Sequence, residues 1–327
     1  MPSLKETKDR ILSVKNTQKI TRAMKMVAAA KVKKAENAVK MSRPFSMELF
    51  RTFVEIYGSI EDKEFETVKS ANPLDNYPVL LKARPIKTVG LVIISSNKGL
   101  AGAYTANLIR FAAMKIKCAN ENNINVRIFL IGQKAEAGLK ALLSELKFEI
   151  KEVYTGILDD VNASSAKVIA LDLAEEYTTN RIDKIELITT RYINMMRYKV
   201  ENWTLLPVIT QNSDEIRTFY KKEFNIENKI EYKTFFDDKD KTDSYRLFEP
   251  NQKTLLQKIV PMYITNTIFQ AILEAQASEL ASRMTAMSAA TNNAEDMINT
   301  LTIQYNKARQ DSITQEITEV ISGSLGK

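Results

Sequence analysis

Two long stretches without a helix breaker constrain this chain more than any other feature. No Gly or Pro occurs from Ser3 to Arg43, and none from Met262 to Ser322. Both read as very long helices, and at about 1.5 Å per residue the second alone would extend roughly 90 Å, about twice the diameter of a domain of this size. Such a helix cannot be covered by its own globule. It must pair with another helix or enter a cavity that other chains supply.

The C-terminal stretch carries the clearest periodicity. Leu280, Met284, Met287, Thr291, Ala294, Ile298, Leu301, Tyr305 and Ala308 follow at alternating spacings of four and three, and eight of the nine are apolar or aromatic. This is a coiled-coil seam. After Ala308 the phase slips by one residue, and Ile313, Ile317 and Val320 are expected to continue it, as across a stutter. The N-terminal helix is predicted from about Leu4 to about Tyr57, with Pro44 as the point where it could be interrupted. Ile11, Val14, Ile20, Met24, Val27 and Ala30 form its narrow apolar stripe. No other segment is long enough to pair with the C-terminal helix, and both leave one globule, so the simplest geometry is a long antiparallel coiled coil of the two ends.

Between them the period changes. Gly58 to Lys82 reads as loop. The apolar runs Val89–Ile94, Val126–Ile131 and Ile185–Thr190 read as strands, and Tyr104–Ala119, Lys134–Leu146 and Ser164–Thr179 as helices. Strands alternating with helices imply a small doubly wound, Rossmann-like α/β domain. Extended chain continues from Arg191 through Trp203 to Leu206. Gln211–Ser244 is polar and irregular, a short strand is expected at Tyr245–Phe248, and the last helix follows Pro250. The resulting division is 1–58 for the first helix, 59–210 for the α/β domain with its leading loop, 211–249 for a polar foot, and 250–327 for the last helix.

Composition excludes several chemistries. There is no histidine among the 327 residues, which removes histidine triads and histidine metal sites. The lone Cys118 cannot form an intrachain disulfide and is expected to be a small buried filler. No apolar leader opens the sequence, and the longest uncharged run, Ile259–Leu273, is too short and polar to span a bilayer, so a soluble chain is expected. No catalytic, cofactor or metal-binding residue is predicted.

The net charge of +7 is concentrated at one end: residues 1–43 hold twelve Lys or Arg against Glu6, Asp9 and Glu36. A basic coiled-coil nucleic-acid binder is one reading of that helix. The other is complementarity to an acidic protein surface, favoured because no aromatic is interleaved for base stacking. The turn Ser95–Ala103 (SSNKGLAGA) follows a strand and precedes a helix, which raises a nucleotide-dependent enzyme. It has neither the GxxxxGK[ST] nor the GxGxxG order, so its glycines signify only a tight turn.

Asn16–Lys31 (NTQKITRAMKMVAAAK), Ala281–Ile298 (ASRMTAMSAATNNAEDMI) and Tyr305–Gly323 (YNKARQDSITQEITEVISG) closely resemble the terminal signatures of the γ subunits of F-type ATP synthases. Ser95–Tyr104 is similar to the same family's first strand–helix turn, with Asn97-Lys98 and Ala101 departing from its usual residues. The resemblance covers essentially the whole chain in order. It implies a non-catalytic central-stalk rotor subunit of a proton-translocating bacterial ATP synthase, one copy per complex. A thin, curved rod would turn within the hexameric ring of α and β subunits, over a c-subunit ring and beside the ε subunit. Rotation would cycle the conformations of the catalytic β sites. The implied location is peripheral, on the cytoplasmic face of the plasma membrane through the complex, with no nucleic acid bound.

Residue by residue, the resemblance implies that Arg309, Gln310 and Thr314 engage a loop of β, and that Met24 and Arg283 bear on coupling. Ile313, Ile317, Val320 and Ile321 would form an apolar tip in the upper sleeve of the ring. Basic side chains from Lys15 to Lys34 would face acidic loops of β. Arg246 and Glu249 would lie at the foot near the c ring, where Arg246 stands in place of a more usual aromatic. The thiol regulation known in chloroplast members needs a cysteine pair and is excluded.

Overall fold

The computed structural model describes residues 4–60, 70, 72–142, 145–208, 249 and 251–325. Along them run α1 (Leu4–Gly58), a 3-10 turn (Pro73–Asp75), α2 (Tyr77–Leu81), β1 (Thr88–Ile94), α3 (Tyr104–Glu121), β2 (Asn125–Ile131) and α4 (Lys134–Lys140). These are followed by β3 (Glu149–Tyr154), α5 (Ala163–Thr178), β4 (Lys184–Asn194), β5 (Arg197–Leu206) and α6 (Gln252–Leu325). They form two compact units, one of Lys34–Gly99 and Ala103–Glu279, the other of Met1–Lys33, Leu100–Gly102 and Leu280–Lys327. The expectations for Gln211–Ser244, for a strand at Tyr245–Phe248 and for Arg246 fall outside the described residues.

The first unit is built on a five-stranded sheet of order β3-β2-β1-β4-β5. Its first four strands are parallel and β5 runs antiparallel to β4. The three sequence-predicted strands sit side by side at its centre, because continuous apolar runs suit strands covered on both faces. The edge strand β3 has no such signal: Glu149, Lys151 and Glu152 are exposed, and only half-buried Ile150, Val153 and Tyr154 reach inward. The stretch read as loop before β1 holds the 3-10 turn and α2, whose Leu74, Leu80 and Leu81 enter the core. Helix α4 stops at Lys140, short of the expected Leu146.

Helix α3 buries Tyr104, Leu108, Ala112 and Ile116, one residue per turn. Cys118 lies two residues past that stripe and is exposed, so it is not the buried filler expected from its type. At the end of β2, Gly132 has φ +96°, and a Cβ there would lie 3.0 Å from the backbone of Ser96. Only glycine allows this approach of the turn after β2 to the turn after β1.

Within this unit α6 occupies the crevice where β1 and β4 diverge. Thr189 Oγ1 donates to the Ala271 carbonyl at 3.0 Å, and the Tyr104 hydroxyl donates to the Ala275 carbonyl at 3.2 Å. Thr190 Oγ1 lies 3.2 Å from the Tyr104 hydroxyl, whose proton is already given away, so threonine is the donor there. Ile264, Ile268, Ala271, Ile272 and Ala275 join the same fully buried cluster as Val92, Ile94 and Leu187. Burial at about 25 cal/mol per Å² makes this helix part of the core and not a decoration on it.

The α1 segment of the unit runs antiparallel to α6. Arg43 meets Glu274, Ser46 meets Gln270 and Asn266, and the Phe50 and Phe53 rings lie 5.6 Å from the Tyr263 ring. Helix α1 passes uninterrupted through Pro44. Proline removes one hydrogen bond from a helix, but here the residues on either side, Arg43 and Ser46, are tied to α6.

In the second unit the two helix arms pair as a coiled coil. On α6 all nine predicted seam residues are buried or half-buried. On α1 the covered positions are Leu4, Thr7, Ile11, Val14, Gln18, Thr21, Lys25 and Ala28, again at spacings of three and four. Thr21 and Thr291 meet across the seam, Oγ1 to Oγ1 at 2.9 Å. The expected stripe through Ile20, Met24, Val27 and Ala30 is therefore corrected: these four are exposed, and the seam passes through polar Gln18, Thr21 and Lys25 instead. The loop residues Leu100–Gly102 belong to this unit, with Ser282 Oγ donating to the Ala101 carbonyl at 2.7 Å.

Candidate partner-contact surface

Counting equal numbers of residues along both arms from the Thr21–Thr291 pair places Leu4 beside Ala308. Both are half-buried, and past them no described residue of α1 lies beside α6. The expected stutter is absent. The old phase continues to half-buried Ser312, while Ile313, Ile317, Val320 and Ile321 are 47%, 54%, 71% and 52% exposed. At 100° per residue, Arg309, Gln310, Ile313, Thr314, Ile317, Val320 and Ile321 fall within one face of about 140°. Asp311, Ser312, Gln315 and Thr318 lie outside it. This tip is amphipathic with its apolar side bare, which marks a surface that another chain covers.

Arg309 and Gln310 are exposed, and among the described residues Arg309 makes no ion pair. The Thr314 hydroxyl turns back to the Gln310 carbonyl at 2.9 Å. A free guanidinium on a helix that ends in isoleucines can form charge-assisted bonds with a carboxylate while the neighbouring side chains are desolvated. Arg283 is half-buried farther down the same helix. Met24 is exposed on α1 and shares a face with Leu12, Ile20 and Val27, nearly opposite the seam. Lys15, Lys19, Arg22, Lys31 and Lys34 are all exposed as well. Glu249 is exposed, and nothing among the described residues joins it to the tip.

The α/β unit offers no comparable opening at the turn after β1. Lys98, the cation that a phosphate reading would need, is paired with Asp159 at 3.0 Å, and Asn97 Nδ2 donates to the same carboxylate at 3.2 Å. The crevice beside β1 and β4, where doubly wound sheets receive ligands, holds the α6 backbone at Ala271 and Ala275. Among the described residues no helix is long and apolar enough to cross a membrane.

Three buried or half-buried carboxylates in this unit are held below their ordinary range. Burial opposes ionisation of Glu201, but Arg191 at 2.8 Å, Trp203 Nε1 at 3.2 Å and Lys199 outweigh it. For Glu186, burial is outweighed by Lys184, Lys115 and Asn202. For Asp183, burial is outweighed by the Lys87 and Thr88 backbone N–H groups and by Arg84. A depressed carboxyl stabilises the fold above its unfolded pKa, and that contribution disappears as pH falls through the folded value. The melting temperature of the α/β unit is therefore expected to drop as pH is lowered from 7 through about 4 and below. Circular-dichroism melts that stayed flat down to pH 3 would remove the three pairs from the stability account.

The fold and these surfaces define a class: a protein with a long paired-helix coiled coil and an α/β unit, whose bare apolar and basic helix faces are suited to contacts with other chains. The sequence model of the ATP synthase family matches residues 3–325. The ATP synthase gamma chain of Crocosphaera subtropica is 37% identical over 328 residues, and that of Picosynechococcus sp. is 36% identical over 327. Each alignment covers 99% of both chains. The chain belongs to the ATP synthase gamma chain family. In fold it is also similar to a chain in the rotor of the Euglena gracilis mitochondrial ATP synthase, with TM-score 0.59 at 16% identity over 95% of this chain and 98% of that one. A chain from the central stalk and c ring of the Tetrahymena thermophila enzyme has TM-score 0.53 at 23% identity over 83% and 99%.

Proposed function

We propose that this chain is the central-stalk rotor subunit of a proton-translocating F-type ATP synthase, carrying rotation from a c-subunit ring to the catalytic sites of an α/β hexamer. The observation that carries the reading is the gamma-chain match over essentially the full length of both chains. In it the chain has no catalytic residue of its own. A single asymmetric coiled coil presents chemically different faces to identical β subunits, with exposed Leu12, Ile20, Met24 and Val27 on one side of α1 and exposed Lys15, Lys19 and Arg22 on another. Each face favours a different β conformation, and turning the coil exchanges them. Such differential contacts are what coupling requires.

Arg309, Gln310 and Thr314 engage a loop of β in this reading, and Met24 and Arg283 tune coupling. Ile313, Ile317, Val320 and Ile321 turn in an apolar sleeve. The exposed lysines and arginines of α1 complement acidic loops of β, in place of nucleic acid. Arg246 and Glu249 act at the c-ring side, next to the ε subunit, with one copy of the chain per complex. The complex would hold the chain at the cytoplasmic face of the bacterial plasma membrane.

The test is to tag the chain, isolate its assembly from membranes, identify the companions and assay ATP hydrolysis. Recovery with α, β, ε and c subunits, and hydrolysis that the purified chain lacks, is the expected result. Recovery of the chain alone or with nucleic acid would overturn the rotor. Hydrolysis by the purified chain would overturn its non-catalytic part.

A further inference from the structure

Where α1, α6 and the β4–β5 hairpin meet, one buried donor lacks a protein partner. Arg191 is 5% exposed. Its Nε donates to Glu201 at 2.8 Å, and its guanidinium carbon lies 4.9 Å from the centre of the Trp203 ring. Its Nη2 is buried and meets no acceptor among the described residues. Arg191 and Trp203 line a cavity of about 20 Å³ together with Ser46, Asn266, Thr267 and Gln270. A water molecule needs about 10–15 Å³ measured in this way, so the cavity admits one and not two.

The lining supplies acceptors for it. Thr267 Oγ1 donates to the Tyr263 carbonyl at 2.9 Å and keeps its lone pairs. Gln270 Oε1 receives only a long 3.5 Å contact from Ser46. Charge decides against an ion. Arg191 is neutralised by Glu201, and Arg43, which also lines the cavity, is neutralised by Glu274. Lys199, which shares Glu201, is 62% exposed and screened by solvent, so each buried guanidinium has its own carboxylate and little positive charge remains to repay the dehydration of an anion, while two guanidinium groups exclude a cation.

We propose that this cavity is the binding site of a single structural water that accepts a hydrogen bond from Arg191 Nη2 and donates to Thr267 Oγ1 or Gln270 Oε1. It ties β4 to α6 and gives the buried Nη2 an acceptor. The inference does not depend on the rotor reading.

The test is a crystal structure of the native assembly, at a resolution that shows ordered water, from crystals grown in chloride and again in bromide. One peak is expected about 2.7–3.2 Å from Nη2 and from Thr267 Oγ1 or Gln270 Oε1, with no anomalous bromide signal. Bromide at the peak would make the site an anion site and overturn the proposal. So would the absence of a peak, or a direct protein acceptor on Nη2.

Discussion

Replacing Glu274 by alanine is expected to cost the α/β unit about 3–5 kcal/mol, because it breaks a buried ion pair by removing one partner. The Glu274 side chain is fully buried. It accepts from Arg43 Nε at 2.7 Å, Arg43 Nη2 at 2.9 Å, Gln270 Nε2 at 3.1 Å and the Tyr192 N–H at 2.8 Å. Truncation leaves a partly buried guanidinium without its counter-charge, holding only the Tyr192 carbonyl at 2.7 Å, and a buried Tyr192 N–H without its acceptor, and it opens a cavity between α1, α6 and β4. Glu274→Gln keeps the shape and some of the bonds, so its loss should be smaller, about 1.5–3 kcal/mol. Glu136→Ala removes a largely solvent-facing i,i+4 helix pair of half-buried Glu136 with exposed Lys140 and should stay within about 0.5 kcal/mol. The sole tryptophan, Trp203, lies in the same unit, so urea unfolding of the full chain followed by its fluorescence reads all three. A loss below about 1 kcal/mol for Glu274→Ala would mean that the network is not what fixes α1 to α6.

The same glutamate shows what the sequence could and could not disclose. An acid in the apolar run Ala271-Ile-Leu-Glu-Ala-Gln-Ala signals a buried, paired charge, but its partner lies in another helix and no local pattern points to Arg43. The α6 seam was legible because apolar side chains occupy it at regular spacing. The α1 seam was not, because Gln18, Thr21 and Lys25 sit in it while Ile20, Met24 and Val27 face outward. Periodicity assigns large apolar residues to the helix pair itself, and it fails where the second apolar face is reserved for another chain. The tip failed for the same reason: Ile313, Ile317 and Val320 looked like a continued seam, yet they are exposed and, among the described residues, no α1 side chain covers them. The buried strands announced themselves, whereas half-exposed β3 did not. That α6 fills the crevice of the sheet could not be read from the turn Ser95–Ala103, which gave only a missing phosphate motif.

Arg309→Ala combined with Gln310→Ala is expected to leave the fold and the assembly intact while lowering proton-driven ATP synthesis by about tenfold or more. Both side chains are exposed, and Arg309 has no ion-pair partner among the described residues, so their removal breaks no ion pair within the chain. Alanine is the best helix former, so the double substitution keeps the tip helical. What is removed is a guanidinium and an amide on the same face as Ile313 and Ile317. In the rotor reading that face is covered by β, and truncating one member of a desolvated charge pair costs about 2–5 kcal/mol. Since about 1.4 kcal/mol is worth a factor of ten, even the lower bound exceeds the predicted drop. The measurement is synthesis in membrane vesicles under an imposed proton gradient, normalised to complex assembled with α and β. Full synthesis at normal assembly would remove Arg309 and Gln310 from the coupling contact. The family assignment, which rests on the whole chain, would stand.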